Sequence, residues 1–274
     1  CDDHGLRTDL LESALRVGPK FMYILPNFQN PGGTTLALER RLELVRLSNK
    51  YGIPIVEDDP YGALRFEGEH LPPLVALDAD FQTSAGLNGH GYMEGNVIYL
   101  GTFSKTLSPG LRLGWVVAPI EVIDHMVMAK QGTDLQTSTF DQMLAWEVLK
   151  TGFLDDHIKL IRKVYGERRD VMLAALEKYF PPESSWTHPE GGLFLWAKVP
   201  DGIDTEALLK EAVEAKVAFV PGFAFYSDPN QGHDTMRLNF SNAKPEMIEE
   251  GIRRLGQLLY TKVAEQSRTH VVPG

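Results

Sequence analysis

Val97-Ile98-Tyr99-Leu100-Gly101-Thr102-Phe103-Ser104-Lys105-Thr106-Leu107-Ser108-Pro109-Gly110-Leu111-Arg112 passes from four apolar residues straight into a turn of hydroxyls and two basic side chains. A short β-branched and aromatic run reads as a buried strand, and the polar chemistry begins where it stops. Two earlier segments are built the same way. Phe21-Met22-Tyr23-Ile24-Leu25 is stopped by Pro26 and leads into Asn27-Phe28-Gln29-Asn30-Pro31; Ile53-Pro54-Ile55-Val56 is ended by Glu57-Asp58-Asp59 and leads into Pro60-Tyr61. Between these two, Thr34 or Thr35 is placed to cap a helix with stripes Leu38, Leu42, Val45 and Leu44, Leu47, Tyr51, which Gly52 ends. Strands alternating with helices define an α/β fold with a largely parallel sheet. In such a sheet ligands collect at the carboxyl ends of the strands, where all three chemical clusters fall.

Outward from this core, Leu113-Gly114-Trp115-Val116-Val117 reads as one more strand, and long helical patterns run from about Phe140 to Phe180. Leu193–Val199, Thr205–Lys216, Val217–Val220 and Met236–Phe240 then read as strand, helix, strand, strand, before a last helix from Pro245 to about Tyr260. This predicts a large domain within residues 1–150, and connecting helices plus a smaller C-terminal α+β domain within 151–274. Thr83 to Gly95, with four glycines, reads as an exposed loop without chemistry.

The 274 residues carry 27 basic and 37 acidic side chains, a formal charge of -10, which argues against nucleic acid or an acidic membrane surface as the partner. Cys1 is the only cysteine, so no internal disulfide can form and a cytoplasmic location is expected. No apolar run approaches the roughly 20 residues of a membrane helix, and no histidines and cysteines have metal spacing, so no metal is expected.

Asparagine, aspartate, tyrosine and lysine at one sheet edge suit an aldehyde cofactor with a pyridine ring, a phenolic oxygen and a phosphate. Lysine alone offers a primary amine for a Schiff base, and Lys105 directly follows a buried strand, an unusual place for a solvent-facing lysine. Taken singly, each residue has an ordinary reading. Lys105 could be a surface lysine, Asn30 a turn former before Pro31, the 57–59 triplet a solvated acidic turn, and Arg112 half of a surface ion pair.

Together, NPGG at 30–33, EDDPYG at 57–62 and TFSKTLSPGLRLGW at 102–115 resemble, in order and separation, the signature segments of class I/II aminotransferases that depend on pyridoxal 5'-phosphate. The subgroup that looks most similar holds 2-aminoadipate and kynurenine aminotransferases and the aminotransferase-like halves of MocR-type regulators. The similarity spans about residues 5 to 260. It implies the fold type I architecture, a mainly parallel sheet sandwiched by helices.

The resemblance also implies roles. Lys105 would hold the cofactor as a Schiff base and move the proton between Cα and C4′. Asp58, three residues before Tyr61, would pair with the pyridine nitrogen, with Asp59 its rival and Glu57 less suited because it still lies at the strand end. Tyr61 and Asn30 would donate to the phenolic oxygen. Thr102 and Arg112, helped by Ser104, would bind the phosphate. Arg237, in the apolar stretch Met236-Arg237-Leu238-Asn239-Phe240, needs an anion, and the family gives it the substrate α-carboxylate, the alternative being a buried ion pair.

The implied reaction moves an amino group from an α-amino acid to a 2-oxo acid, with 2-oxoglutarate the expected acceptor, in a homodimer with a shared active site. The phosphate loop and the ring-stacking aromatic residue of the family would lie upstream of Cys1, about a third of a family member. The rival expectations are the effector domain of a MocR-type regulator and another fold type I reaction such as elimination or decarboxylation.

Overall fold

The structure, a computed structural model, describes residues 1–86 and 95–269. Most of the glycine-rich loop expected at Thr83 to Gly95 lies outside them, and Thr83 and Ser84 instead close a helix. The chain divides into two compact units, Cys1–Gln29 with Thr34–Ile161, and Asn30–Gly33 with Arg162–Gly274.

In the first unit, α1 (Leu11–Leu15), β1 (Met22–Ile24), α2 (Leu38–Tyr51), β2 (Ile55–Asp58), α3 (Leu74–Ser84), β3 (Val97–Thr102) and β4 (Gly114–Val117) follow in order, and α4 (Ile120–Thr133) and α5 (Thr139–Leu149) complete it. The sheet order is β1-β2-β3-β4. The first three strands are parallel, with Met22 opposite Ile55 and Ile55 opposite Val97; β4 runs antiparallel, with Gly114 opposite Thr102. Parallel strands need helical crossovers, and α2 and α3 provide them. Their apolar stripes close one core, in which Leu44, Leu47 and Leu74 pack with Ile55, Val97 and Leu15.

Two helix ends differ in how they are made. Gly52 ends α2 in the left-handed conformation (φ 62°), as its position predicts. The expected threonine cap is absent. Ala37 is the N-cap and makes no side-chain bond, while the first turn is held by Arg41, whose guanidinium reaches back to the Leu36 carbonyl at 2.8 Å.

The second unit contains α6 (Phe153–Tyr179, which begins in the first unit), β5 (Ser185–Trp186), β6 (Phe194–Lys198), α7 (Thr205–Glu214), β7 (Val220–Pro221), β8 (Thr235–Asn239) and α8 (Pro245–Thr269). Its sheet is antiparallel throughout, in the order β5-β6-β8-β7. Strand alternation turns Leu195, Ala197, Met236 and Leu238 into the core with Leu208, Ala212, Leu255 and Leu259. Phe194, Trp196 and Arg237 occupy the other face, with Trp196 directly opposite Arg237.

Candidate active site

Because β1, β2 and β3 are parallel, their carboxyl ends meet at one edge of the first sheet. That edge carries Asp58 as the last residue of β2, Tyr61 after it, Thr102 as the last residue of β3, Ser104 and Lys105 in the following turn, and Arg112 just before β4 returns. Six of the eight residues singled out from the sequence thus share one edge of one unit. Asn30 and Arg237 belong to the second unit.

The acidic triplet divides into three roles, and the strand does not stop where the sequence suggests. β2 continues through Glu57 and Asp58. Glu57 is fully buried and accepts from the backbone N–H groups of Leu74 at 2.8 Å and Val75 at 2.9 Å, so it caps α3. Burial raises its pKa to about 7, against the opposing pull of those two amides. Asp59 braces the turn: its Oδ1 accepts from Asn27 Nδ2 and from the Gly62 N–H, both at 2.9 Å. A Cβ at Gly62 would come within 2.3 Å of Asp59 Oδ2 and 2.9 Å of Asn27 Nδ2, so a side chain there would displace the groups that brace the turn. Asp58 is bound differently, its Oδ2 accepting from the Tyr23 hydroxyl across the sheet. Partial desolvation and this bond push the Tyr23 phenol well above its usual range, so it stays a donor.

Behind Asp59 stands a group that local sequence patterns do not announce. Arg41 is fully buried on α2, and Nη2 donates to Asn27 Oδ1 at 2.6 Å and to the Pro26 carbonyl at 3.1 Å; Nη1 donates to the Pro72 carbonyl at 2.9 Å. Burial lowers its pKa to about 10, so it is still cationic at neutral pH. Arg41, Asn27, Asp59 and the Gly62 amide therefore form one relay that fixes the β2 end of the site. Tyr61, buried, follows Asp59 and Pro60 directly.

At the β3 end, Thr102 Oγ1 donates to the Leu113 carbonyl at 3.0 Å, accepts from the Ser104 N–H at 3.1 Å and lies 2.9 Å from Ser104 Oγ. Those contacts tie both hydroxyls to the turn. Lys105 is exposed, unlike the shielded lysine its place after a buried strand predicts, because the chain leaves the sheet at Phe103 and turns back through the Leu107 and Ser108 amides onto the Phe103 carbonyl. Arg112 is exposed in the left-handed region (φ 53°), with Nη1 on the Pro109 carbonyl at 3.0 Å.

In the second unit, the Asn30–Gly33 loop lies on β6. A Cβ at Gly33 would sit 2.7 Å from the Phe194 carbonyl. Asn30 Oδ1 accepts from Arg237 Nη1 at 2.7 Å, and the guanidinium carbon stands over the rings of Phe194 at 4.3 Å and Phe225 at 5.1 Å. The charge expected to be costly inside an apolar strand is accommodated on the aromatic face of the sheet, opposite the core.

A mainly parallel sheet whose carboxyl edge gathers Asp58, Tyr61, Thr102, Ser104, Lys105 and Arg112 has the α/β architecture of fold type I. The family model for aminotransferase class I and II matches residues 1–255, and the chain belongs to that family. It is 45% identical over 264 residues to aromatic-amino-acid aminotransferase 1 of Thermococcus litoralis, a match covering 94% of this chain and 60% of that protein. It is 34% identical over 253 residues to an uncharacterised HTH-type transcriptional regulator of Bacillus subtilis, covering 92% of this chain and 49% of that one. Among solved structures, α-aminoadipate aminotransferase of Thermus thermophilus, complexed with N-(5'-phosphopyridoxyl)-L-leucine, matches with a TM-score of 0.87 and 40% identity over 96% of this chain and 64% of that one. The chain thus spans about three fifths of the length of the aminotransferases it matches. Among the described residues no helix is long and apolar enough to cross a membrane.

Proposed function

We propose that this chain is the lysine-bearing part of a pyridoxal 5'-phosphate-dependent aminotransferase that moves the amino group of an α-amino acid to a 2-oxo acid, with 2-oxoglutarate as acceptor. The observation that carries the reading is the common edge of β1, β2 and β3, which brings Asp58, Tyr61, Thr102, Ser104, Lys105 and Arg112 together in one unit. Its donor set fits the cofactor: an amine for the aldehyde, a carboxylate for the ring nitrogen, a phenol for the ring oxygen, and hydroxyls and a guanidinium for the phosphate. When bound, pyridoxal phosphate supplies an aldehyde for the amino group and a ring that accepts the electron pair released at Cα.

The residues then divide the work. Lys105 holds the cofactor covalently and, once displaced as a neutral amine, carries the proton from Cα. Asp58 keeps the ring nitrogen protonated, because an anion beside it favours the cationic form. Its rival Asp59 is committed to Asn27 and Gly62, which supports this choice. Tyr61 donates to the ring oxygen. Asn30 does the same through Nδ2, since Oδ1 already accepts from Arg237. Thr102, Ser104 and Arg112 bind the phosphate, and Arg237 binds the substrate α-carboxylate.

In this reading residues 1–150 are part of the cofactor-binding domain, and 151–274 supply the connecting helices and small domain. The protein works in the cytoplasm as a homodimer with a shared active site. Support for association comes from α4 and α5, where Met126, Val127, Met128, Phe140, Met143 and Trp146 are all exposed and Ala145 is the one buried residue of either helix. The test is amino transfer to 2-oxoglutarate by the complete protein loaded with pyridoxal phosphate, across aromatic, branched and dicarboxylic donors. Ammonia release without consumption of the oxo acid, or cofactor binding without turnover, refutes it in favour of a lyase or a regulator.

A further inference from the structure

Within the second unit, the start of α7 and the loop that leads into β8 bring together three side chains that the candidate active site does not use. Asp204 is the N-cap of α7, Glu206 lies in its first turn, and His233 stands just before β8. Their ligand atoms all lie within 4.8 Å of one another. The backbone holds the two segments in place. The Thr205 amide donates to the His233 carbonyl at 2.8 Å, and the buried Thr205 hydroxyl donates to the Thr235 carbonyl at 2.9 Å. Short-range spacing of histidines and cysteines does not reveal such a set, because its segments meet only in the fold.

Two carboxylates at a helix start are ordinary, and Asp204 already accepts from the Glu206 amide at 2.8 Å as a cap. The imidazole makes the difference. His233 Nε2 lies 2.9 Å from the Pro229 carbonyl, a group that can only accept, so Nε2 carries the hydrogen and the neutral ring has its lone pair on Nδ1. The ring is stacked on Phe223, with centroids 5.5 Å apart and planes 10° from parallel. Its orientation is thereby set, with Nδ1 3.8 Å from Asp204 Oδ1. That is too long for a direct hydrogen bond. It is close to the separation of two ligands on one ion, since bonds of about 2.0–2.2 Å at a tetrahedral angle put neighbouring donor atoms about 3.4 Å apart. A metal-bound histidine characteristically gives its other N–H to a carboxylate or a backbone carbonyl, as His233 does to Pro229.

We propose that Asp204, Glu206 and His233 bind a divalent metal ion of zinc-like chemistry. One imidazole nitrogen and two carboxylate oxygens suit zinc, and three protein ligands leave a position for water. The two negative charges outweigh the partial positive charge of the helix start, which is about half a unit. Bound there, the ion ties α7 to the approach to β8 and stabilises the second unit. The rival is a loose ion pair between Asp204 and a protonated His233, which needs no metal. Neither depends on the reading of the cofactor site.

The test is titration calorimetry with zinc chloride on the complete protein loaded with pyridoxal phosphate and freed of unbound cofactor and trace metal. A Cys1→Ser background keeps the exposed thiol from competing. One zinc per chain is expected, with a dissociation constant at or below about 10 µM. His233→Ala, Asp204→Asn and Glu206→Gln each weaken it by at least about ten-fold. Asparagine is as good a helix cap as aspartate, so the loss in Asp204→Asn reports the ligand and not the helix. Saturating zinc raises the Tm of the background protein and leaves that of the three variants unchanged. Calcium, which prefers oxygen ligands, binds at least about ten-fold more weakly than zinc. The proposal is overturned if the background protein binds no zinc below about 100 µM, which leaves the ion pair. It is equally overturned if the variants bind zinc as the background protein does, which places the ion elsewhere, or if calcium binds as tightly as zinc and survives His233→Ala, which leaves only an acidic patch.

Discussion

The Tyr23 hydroxyl, on β1, donates to Asp58 Oδ2 at the end of β2, so the carboxylate proposed to face the cofactor ring is oriented from the neighbouring strand. The two residues are not direct partners in the parallel register, which pairs Tyr23 with Val56; the long phenol spans the offset. Hydrogen bonds to charged groups contribute more than neutral ones, but Tyr23 is more than half exposed and water competes. Tyr23→Phe is therefore expected to weaken cofactor retention by about three- to ten-fold, measured as the dissociation constant of pyridoxal phosphate, with little change in Tm. An unchanged constant would show that Asp58 needs no support from β1.

Local signals carried much of this fold and lost other parts of it for identifiable reasons. The apolar runs around Met22–Ile24, Ile55 and Val97–Leu100 marked three strands, and Gly52 marked the end of α2. β2 was expected to stop at Val56 because Glu57 and Asp58 are charged, but Glu57 is buried against amides seventeen residues on, a contact outside any local window. α3 left no clear stripe, since its buried face includes Asp78, held by Asn49 and by the Asn96 and Val97 amides. α4 carries Ile120, Val122, Ile123, Met126, Val127 and Met128 nearly all round, so no single face stood out. At the site, residues after strand ends could be named from position alone. Tyr23 and Arg41 could not, because their contacts arise only when β1, β2 and α2 come together; Asn27 follows the first strand, but its bonds to Arg41 and Asp59 are not visible from that position.

The relay through Asn27 gives a stability prediction. Asn27 is buried, with its carbonyl oxygen on Arg41 and its amide nitrogen on Asp59, so Asn27→Ala removes one bond from each of two charged groups. Arg41 retains its three carbonyl acceptors and Asp59 its bond from Gly62. The expected loss is about 2–4 kcal/mol in urea unfolding, with a weaker affinity for pyridoxal phosphate because the Asp59–Gly62 turn loosens. A loss under about 0.5 kcal/mol would refute the relay.

Glu57 makes stability depend on pH in the direction opposite to a paired surface carboxylate. Its folded pKa, about 7, lies above the unfolded value of 4.5. Below pH 4.5 the group is protonated in both states. Between pH 4.5 and 7 the unfolded chain releases the proton while the folded chain keeps it, so stability falls as pH rises across that window. The shift corresponds to a decline of about 3 kcal/mol from this one group. Glu57→Gln keeps one amide acceptor and does not titrate, so its stability curve should lack this component. Parallel wild-type and variant curves from pH 4.5 to 7 would sink the prediction.

Lys105 is exposed on the turn after β3, and the proposed role requires that it, rather than another accessible lysine, carries the cofactor. Wild-type protein incubated with pyridoxal phosphate is expected to gain a visible absorbance band that survives gel filtration. Borohydride reduction followed by peptide mass analysis should place the added mass on the peptide containing Ser104, Lys105 and Thr106. Lys105→Ala should lose the band, the adduct and at least about a thousand-fold in kcat, because one amine serves as both anchor and proton carrier. Retention of cofactor by the variant through non-covalent contacts is compatible with Asp58, Tyr61 and Arg112 acting as proposed. An adduct on a different lysine in wild type, or a covalent band that persists in Lys105→Ala, would remove Lys105 from the site.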